Sequence, residues 1–264
     1  SHSKPKHTSK VIASINNPLF FTAPHSGQVY RGGVLRNDKR RLHLREKYTS
    51  ALAIKFAMDS AIHFQKAGVK SKDVGSFCFW AKEHKLNDYD SDPNYLHSVN
   101  SGQSPFHQAL HQFISANNGK PLFHVDIHGK MDRKNDYELD LGMTCIIKYW
   151  PIQEEFYLKI ENALVKGFNS VIQSIDKGGI PATTNSRPYL NGNWGDVDIA
   201  TMTEQAVVLG IPSIQLEIPM SMRKKLFNDE KLSFAFSKVI VDVYLNVVVP
   251  WWPFKTAENR ASQQ

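Results

Sequence analysis

Three short apolar segments, each followed by a histidine or a glutamate, constrain this sequence more than any other feature. FHVDI leads directly into His128, LFFTA leads through one proline into His25, and SIQL leads directly into Glu217. Segments of this length and apolarity are typical of buried strands in a mainly parallel sheet. Because open α/β sheets bind ligands at the carboxyl ends of their strands, the three segments predict one site that contains His25, His128 and Glu217.

Strand-like and helix-like segments alternate along the chain, which predicts a three-layer α/β/α sandwich with a mixed, mainly parallel sheet. The expected domain covers residues 11–255, between a disordered tail at 1–10 and a second tail at 256–264. The predicted strands cover 19–23, 76–80, 123–128, 141–150 and 213–218. The predicted helices are one of about 20 residues after Arg45, with a helical apolar period, and those at 105–116, 154–175, 203–209 and 227–249.

Composition excludes several classes of protein. Two cysteines in 264 residues exclude a disulfide scaffold and a cysteine-rich zinc ribbon. The sequence shows no apolar run of about 18 residues, so no membrane span is expected. The opening SHSKPKHTSK shows no signal peptide; the location stays open, with the cytoplasm favoured. The net charge of +7 is dispersed, which favours a solvated basic surface over a polyanion-binding one.

Two histidines and one carboxylate are a recurrent ligand set of catalytic Zn²⁺, which keeps its fourth position for water. His25 and His128 are therefore candidate ligands, and the third is expected to be a carboxylate. Glu217 ends its strand between apolar neighbours, where burial raises a carboxyl pKa and suits a general base. Each residue alone also fits a hydrogen-bonded structural role, so the joint pattern carries the zinc hypothesis.

Five short motifs, spread over most of the chain, resemble the motif series of N-formylglutamate amidohydrolases. The resemblance implies the fold of the zinc carboxypeptidases and a zinc-dependent hydrolase of an amide bond in an N-acyl amino acid or peptide-like substrate. It also implies that His25 and His128 bind the metal, that Glu217 is the catalytic base, and that the segment with Arg187 lines the substrate pocket. The motifs are Pro24-His25-Ser26-Gly27, Asp126-Ile127-His128-Gly129, Asp140-Leu141-Gly142, Arg187-Pro188-Tyr189 and Gln215-Leu216-Glu217.

The third metal ligand departs from the carboxypeptidase pattern. Carboxypeptidase-like sites use His-x-x-Glu, but Gln28 stands three residues after His25. The amidohydrolases place an acidic residue at the head of the next helix, and Glu46 in LREKY matches that position. We expect Glu46 rather than Gln28, because a carboxylate offsets part of the charge of the ion and an amide does not.

The substrate pocket departs from the family as well. Relatives carry Asn-Arg where this chain has Asn87-Asp88, and their arginine holds a substrate carboxylate through a bidentate pair. Asp88 would repel an anion, which argues against N-formylglutamate itself, and the acidic loop at 88–93 favours a neutral or basic group. The candidate substrate-binding residues are Arg133, Arg187, Asn87, Lys130 and Tyr189.

Two other functions stay open from the sequence. Gln28 and Asp88 suit a degenerate, metal-free relative that binds a peptide or a partner protein. The basic run RNDKRRLHLR suits a nucleic-acid-binding module, although no RNP, KH or helix-turn-helix signature accompanies it. A small-molecule or peptide substrate is the expected partner, and nucleic acid is disfavoured. The oligomeric state is open.

Overall fold

The structure is a computed structural model that describes residues 10–31, 41–82, 92–97, 104–132, 139–175, 182–184 and 199–252. The predicted tail at 256–264 and all of the tail at 1–10 except residue 10 lie outside these ranges. The strands are β1 Val11–Ser14, β2 Leu19–Ala23, β3 Val29–Arg31, β4 Arg41–His43, β5 Ser76–Trp80, β6 Leu96–His97, β7 Phe123–Lys130, β8 Leu139–Gly142, β9 Ala182–Thr184, β10 Ile199–Ala200 and β11 Ser213–Pro219.

One sheet organises the described part of the chain, with seven strands in the order β1-β5-β2-β7-β11-β8-β9. The pairs β2–β5, β2–β7, β7–β11 and β8–β9 are parallel, whereas β1–β5 and β8–β11 are antiparallel. The predicted mixed, mainly parallel sheet is therefore confirmed. Two small antiparallel ribbons, β3–β4 and β6–β10, accompany it.

Helices cover both faces of the sheet and complete the three layers. On one side α7 packs on both α1 and α4, and on the other side α2 packs against α5. The helices are α1 Thr49–Lys66, α2 Pro105–Ala116, α3 Thr144–Tyr149, α4 Glu154–Ile175, α5 Met202–Val208, α6 Met220–Asn228, α7 Glu230–Val243 and α8 Val249–Trp251, with a 3-10 turn at Pro151–Gln153 and a π-helical turn at Tyr244–Val248.

The central strands β2, β7 and β11 are buried along nearly their whole length, and their two faces differ in chemistry. Alternate residues point to opposite faces of a strand. One face is apolar and joins the larger hydrophobic core beneath α1, α4 and α7. The opposite face carries buried polar groups, which need hydrogen-bonding partners inside the protein. These groups are Thr22, His124, Asp126, His128, Ser213, Gln215 and Glu217.

The predicted strand at 141–150 is wrong over most of its length. β8 ends at Gly142, and α3 begins at Thr144. Cys145 and Ile146 are buried in α3, and Trp150, which follows the helix, is buried as well. An apolar run this short fits a strand and a buried helix equally well, so its periodicity does not decide between them.

The C-terminal helical segment also differs from the prediction. In place of one helix at 227–249, α6 ends at Asn228 and α7 begins at Glu230, with Asp229 capping α7 by accepting the Leu232 N–H at 3.0 Å. Within the described ranges, Glu230–Trp251 is the one helical segment long and apolar enough to cross a membrane, which the sequence reading missed. More than half of it is buried, and α7 packs on α1 and α4 as a core helix does.

Candidate metal centre

The strand register brings the predicted site residues to one edge of the sheet. In the parallel β7–β11 pair, Glu217 lies directly beside His128. His25 follows β2 in a tight turn, in which the Ser26 N–H donates to the Ala23 carbonyl at 3.2 Å. The Trp80 N–H at the end of β5 donates to the Ser26 hydroxyl at 2.8 Å, which anchors this turn to the neighbouring strand.

Glu46 reaches the same place from the segment that precedes α1. Its N–H donates to the His25 carbonyl at 2.9 Å, and its own carbonyl accepts from the Thr49 hydroxyl at 2.8 Å. Tyr48 between them has a φ of 71°, a left-handed conformation that is costly for a non-glycine residue. Such strained residues persist where the surrounding structure over-determines them, often at functional sites. Here the strained turn places the Glu46 carboxylate against His25.

Three side chains converge through the atoms that would bind a metal. The Nδ1 atoms of His25 and His128 lie 3.2 Å apart. Glu46 Oε1 is 3.0 Å from Nδ1 of His25, and Glu46 Oε2 is 3.7 Å from Nδ1 of His128. Glu46 Oε2 also accepts the Gly129 N–H at 2.7 Å, which fixes the carboxylate against the end of β7.

The outer nitrogen of each imidazole faces a buried carboxylate. Nε2 of His25 is 2.9 Å from Asp92 Oδ1, and Nε2 of His128 is 2.6 Å from Asp126 Oδ2. Because an ionised carboxylate only accepts hydrogen bonds, each Nε2 carries a proton and donates it. In the neutral imidazoles the Nδ1 lone pairs therefore point at one another and at Glu46. Carboxylates that orient histidine ligands in this way are common behind metal sites.

A buried hydrogen-bonded chain supports Asp126 from within the sheet. The Thr22 hydroxyl donates to Asp126 and lies 2.7 Å from Nε2 of His124, whose Nδ1 lies 2.6 Å from the Ser213 hydroxyl. Burial lowers the pKa of His124 to about 4 despite the opposing effect of Asp126, so this imidazole is neutral. These hydrogen bonds fix the position of Asp126 and, through it, the orientation of His128.

Zinc fits these donors by spacing and by chemistry. Two nitrogens bound at about 2.0–2.1 Å to one tetrahedral zinc lie about 3.3 Å apart, close to the 3.2 Å between the two Nδ1 atoms. Without a metal, facing lone pairs require a proton between them. Burial disfavours charge on both imidazoles, yet Asp92 and Glu46 raise the pKa of His25, and Asp126 and Glu46 raise that of His128. A cation, whether proton or metal, is therefore favoured at this position.

His43 is a fourth member of this cluster that sequence reasoning missed. Its Nε2 lies 3.0 Å from Glu46 Oε1, and its ring centroid is 4.2 Å from that of His25. Ligand atoms of His25, His43 and Glu46 all lie within 4.8 Å of one another. The sequence carries a signal for it, because His43-Leu44-Arg45-Glu46 has the His-x-x-Glu spacing of carboxypeptidase-like sites.

Glu217 is buried beside the cluster and has an altered acidity. Burial raises the pKa of Glu217 to about 8, with His128 opposing the shift and Glu46 adding to it. The Gln215 amide, on the same face of β11, donates to Glu217 Oε1 at 2.9 Å. A carboxyl group with a pKa close to the working pH is suited to accept and return a proton.

Arg223 on α6 ties together the two segments that carry the candidate ligands Glu46 and His128, and it was not predicted. It is 3% exposed, and it donates to the Lys47 carbonyl at 2.6 Å and to the Lys130 carbonyl at 3.1 Å. Its guanidinium group lies against Gly129, where a Cβ atom would lie 2.2 Å from Nη1. Glycine is thus required for this close approach.

Comparisons with known proteins give two solved structures of low similarity. No protein-family model and no curated protein matches the chain. A bacteriophage poly-gamma-glutamate hydrolase aligns over 92% of both chains with a TM-score of 0.46 and 15% identity. A protein named YNDL, in a zinc-free form, aligns over 93% of both chains with a TM-score of 0.41 and 14% identity. Likeness at this level does not decide function, so membership of the N-formylglutamate amidohydrolases stays a prediction.

The predicted substrate-binding residues are placed only in part. Lys130 is buried at the end of β7, and its ammonium group is paired with Asp140. Asp92, in the acidic loop expected to favour a basic substrate group, is instead turned onto His25. The other candidates lie outside the described residues, as does Asp88; they are Asn87, Arg133, Arg187 and Tyr189.

Proposed function

We propose that this chain is a zinc-dependent hydrolase of an amide bond in an N-acyl amino acid or peptide-like substrate. The convergence of the His25 Nδ1, His128 Nδ1 and Glu46 carboxylate, with each outer imidazole nitrogen on its own carboxylate, carries the proposal. Structural histidines need one good partner. These two have a partner on the outer side and present their second nitrogen to a shared point.

His25, His128 and Glu46 would hold the ion in this proposal. A zinc ion in such a donor set lowers the pKa of a bound water to about 7 and polarises a substrate carbonyl. Asp92 and Asp126 keep both imidazoles in the tautomer that exposes Nδ1. Glu46 adds the negative charge that two neutral imidazoles lack.

Glu217 is proposed as the general base. Its place beside His128 puts a carboxylate at the edge of the cluster, buried among apolar neighbours on β11. There it accepts the proton of the attacking water and returns it to the leaving amine nitrogen. Its pKa is about 8 without a metal, and the positive charge of a bound zinc ion would lower it towards neutral pH, where it can both accept and return a proton.

The position of Glu46 weakens the alternative of a degenerate binding protein. That alternative depended on Gln28 as a poor third ligand and on Asp88, which lies outside the described residues. Glu46 lies 3.0 Å from His25 Nδ1, so a carboxylate is available and Gln28 is not needed.

A panel of N-acyl amino acids and short peptides tests the activity and the substrate class together. Because Asp88 stands where relatives have arginine, amides with neutral or basic groups should be cleaved faster than N-formylglutamate. Hydrolysis should disappear on chelation and return with zinc. If zinc-loaded protein binds members of the panel but does not cleave them, the alternative of a catalytically degenerate binding protein is favoured. Turnover of N-formylglutamate at a kcat/KM of about 10⁴ M⁻¹s⁻¹ or more would refute the substrate preference.

A further inference from the structure

We propose that His107 and His111 on α2 form a second site for a divalent transition-metal ion, separate from the centre at His25 and His128. The two residues are four apart in the helix, so they lie on the same face. Their Nε2 atoms are 3.1 Å apart, and their ring centroids are 4.8 Å apart in an edge-to-face arrangement. The pair shares no ligand with the first centre, and the proposal does not depend on the proposed hydrolase function.

Gln205 on α5 fixes which nitrogen of His107 carries the proton. The Gln205 amide nitrogen donates to the carbonyls of Pro93 at 2.9 Å and of Ala200 at 3.0 Å. The Gln205 oxygen must therefore be the atom that lies 3.1 Å from His107 Nδ1, and it accepts a hydrogen bond from Nδ1–H. His107 thus has Nδ1–H, and its Nε2 lone pair points at His111.

When no metal is bound, a single proton on His111 forms the hydrogen bond between the two imidazoles. Since His107 Nε2 can only accept, His111 Nε2–H donates to it across 3.1 Å. His111 is exposed, so its proton can move to the other ring nitrogen and be solvated there. Both Nε2 lone pairs then face one point, and an ion can take the place of the single proton.

The spacing and the donors indicate which ions would bind. Two nitrogens at about 2.0–2.1 Å from one ion lie about 2.9–3.3 Å apart for angles between square-planar and tetrahedral, and 3.1 Å falls inside this range. Two neutral imidazoles prefer zinc, nickel or copper to magnesium or calcium, which require oxygen ligands. Water would complete the coordination, and we therefore expect weaker binding than at the first centre.

Zinc titration of the metal-free chain tests this site. His111→Ala changes an exposed helical position, and Gln112→Ala, at the next exposed position of α2, is the matched control. His111→Ala should bind one zinc fewer per chain than wild type, and His107→Ala should do the same. Gln112→Ala should bind as many as wild type. Equal zinc content in wild type and His111→Ala overturns the proposal.

A second measurement separates this site from the first centre. In the His128→Ala background, zinc should still raise the melting temperature, because an ion that binds only the folded state stabilises it. That rise should vanish when His111→Ala is added. If the rise persists in the double variant, the ion binds elsewhere and the His107–His111 site is wrong. If the first centre is wrong instead, His128→Ala alone should bind as many zinc ions as wild type.

Discussion

Glu217 and His128 are direct neighbours across the parallel β7–β11 pair, so the proposed base and a proposed ligand are held by one rigid sheet. Adjacent strands lie about 4.8 Å apart. Neither strand end can move without breaking the backbone hydrogen bonds between β7 and β11. The Gln215 amide fixes the Glu217 carboxylate from the same strand. A site built on strands in this way is preorganised, which favours catalysis over loosely held binding.

Replacing Glu217 by glutamine separates a base from a ligand. The change is nearly isosteric, so we expect kcat to fall by about 10²–10⁴-fold while zinc content stays at the wild-type level. Glu204→Gln is the matched control, because Glu204 is also buried but pairs with Lys148 on another part of the fold. The control should keep its kcat. Loss of zinc from Glu217→Gln would identify Glu217 as a ligand instead.

The acidity of Glu217 also predicts a pH dependence of stability in the metal-free protein. The folded carboxyl group keeps its proton up to about pH 8, whereas its ordinary pKa is 4.5. Between these values the folded state binds more protons than the unfolded state, so the free energy of unfolding falls as pH rises. Glu217→Gln lacks this contribution.

Urea denaturation in the presence of a chelator, at several pH values in that window, checks this dependence. The advantage of Glu217→Gln over wild type should grow as pH rises and level off above about pH 8, with a slope of at most about 1.4 kcal/mol per pH unit. A difference between the two proteins that does not change with pH would show that Glu217 is already ionised in the folded state.

Asp126 should act through His128 rather than on the substrate. Asp126→Asn keeps the shape but removes the charge that holds Nε2–H of His128, and zinc affinity should fall by about 10–100-fold. Asp59→Asn, which alters a half-buried carboxylate bonded to Ser233 at 3.1 Å, should leave zinc affinity unchanged. Competition with a chromophoric chelator measures both. Equal affinity in wild type and Asp126→Asn would contradict the orienting role.

Gly129→Ala should disturb the centre through Arg223. The added methyl group would lie 2.2 Å from Arg223 Nη1, so the guanidinium group must leave the Lys47 and Lys130 carbonyls. We expect about 1–3 kcal/mol of destabilisation, as for other overpacked sites, together with weaker zinc binding.

A double-mutant cycle tests that mechanism. Once Arg223→Ala has removed the guanidinium group, adding Gly129→Ala should cost much less than it does in wild type, because contacting residues are not additive. Additive free energies of unfolding would mean that the two residues act independently and that Arg223 does not link the segments.

The sheet and its reactive edge could be predicted because each depends on local pattern. Alternation along SIQLE places Gln215 and Glu217 on one face, and the structure joins them by a hydrogen bond. Apolar strands ending in His25 and His128 indicated where the site would form, since parallel strands end at the same edge. The strand predicted at 141–150 was wrong where α3 forms, because a short apolar run does not distinguish a helix from a strand.

The surroundings of the histidines could not be predicted, because they come from segments distant in sequence. Asp92 meets His25 across 67 residues, and Arg223 meets Lys47 across 176. Arg223 stands in the run MRKK, a pattern typical of a solvated helix face, yet it is buried. Asp126 was visible in its motif, but its role depends on the orientation of a neighbouring imidazole, which sequence does not give.

The central claim is that His25, His128 and Glu46 share one zinc ion, and anomalous diffraction at the zinc edge of zinc-loaded crystals tests it most directly. We predict a peak about 2.0–2.2 Å from both Nδ1 atoms and from a Glu46 oxygen, with Glu217 outside the coordination shell. The peak should be missing in His128→Ala and present in His63→Ala, whose imidazole bonds the Phe234 carbonyl instead. A wild-type protein with no peak between the two Nδ1 atoms, or with Gln28 bound in place of Glu46, would contradict the account.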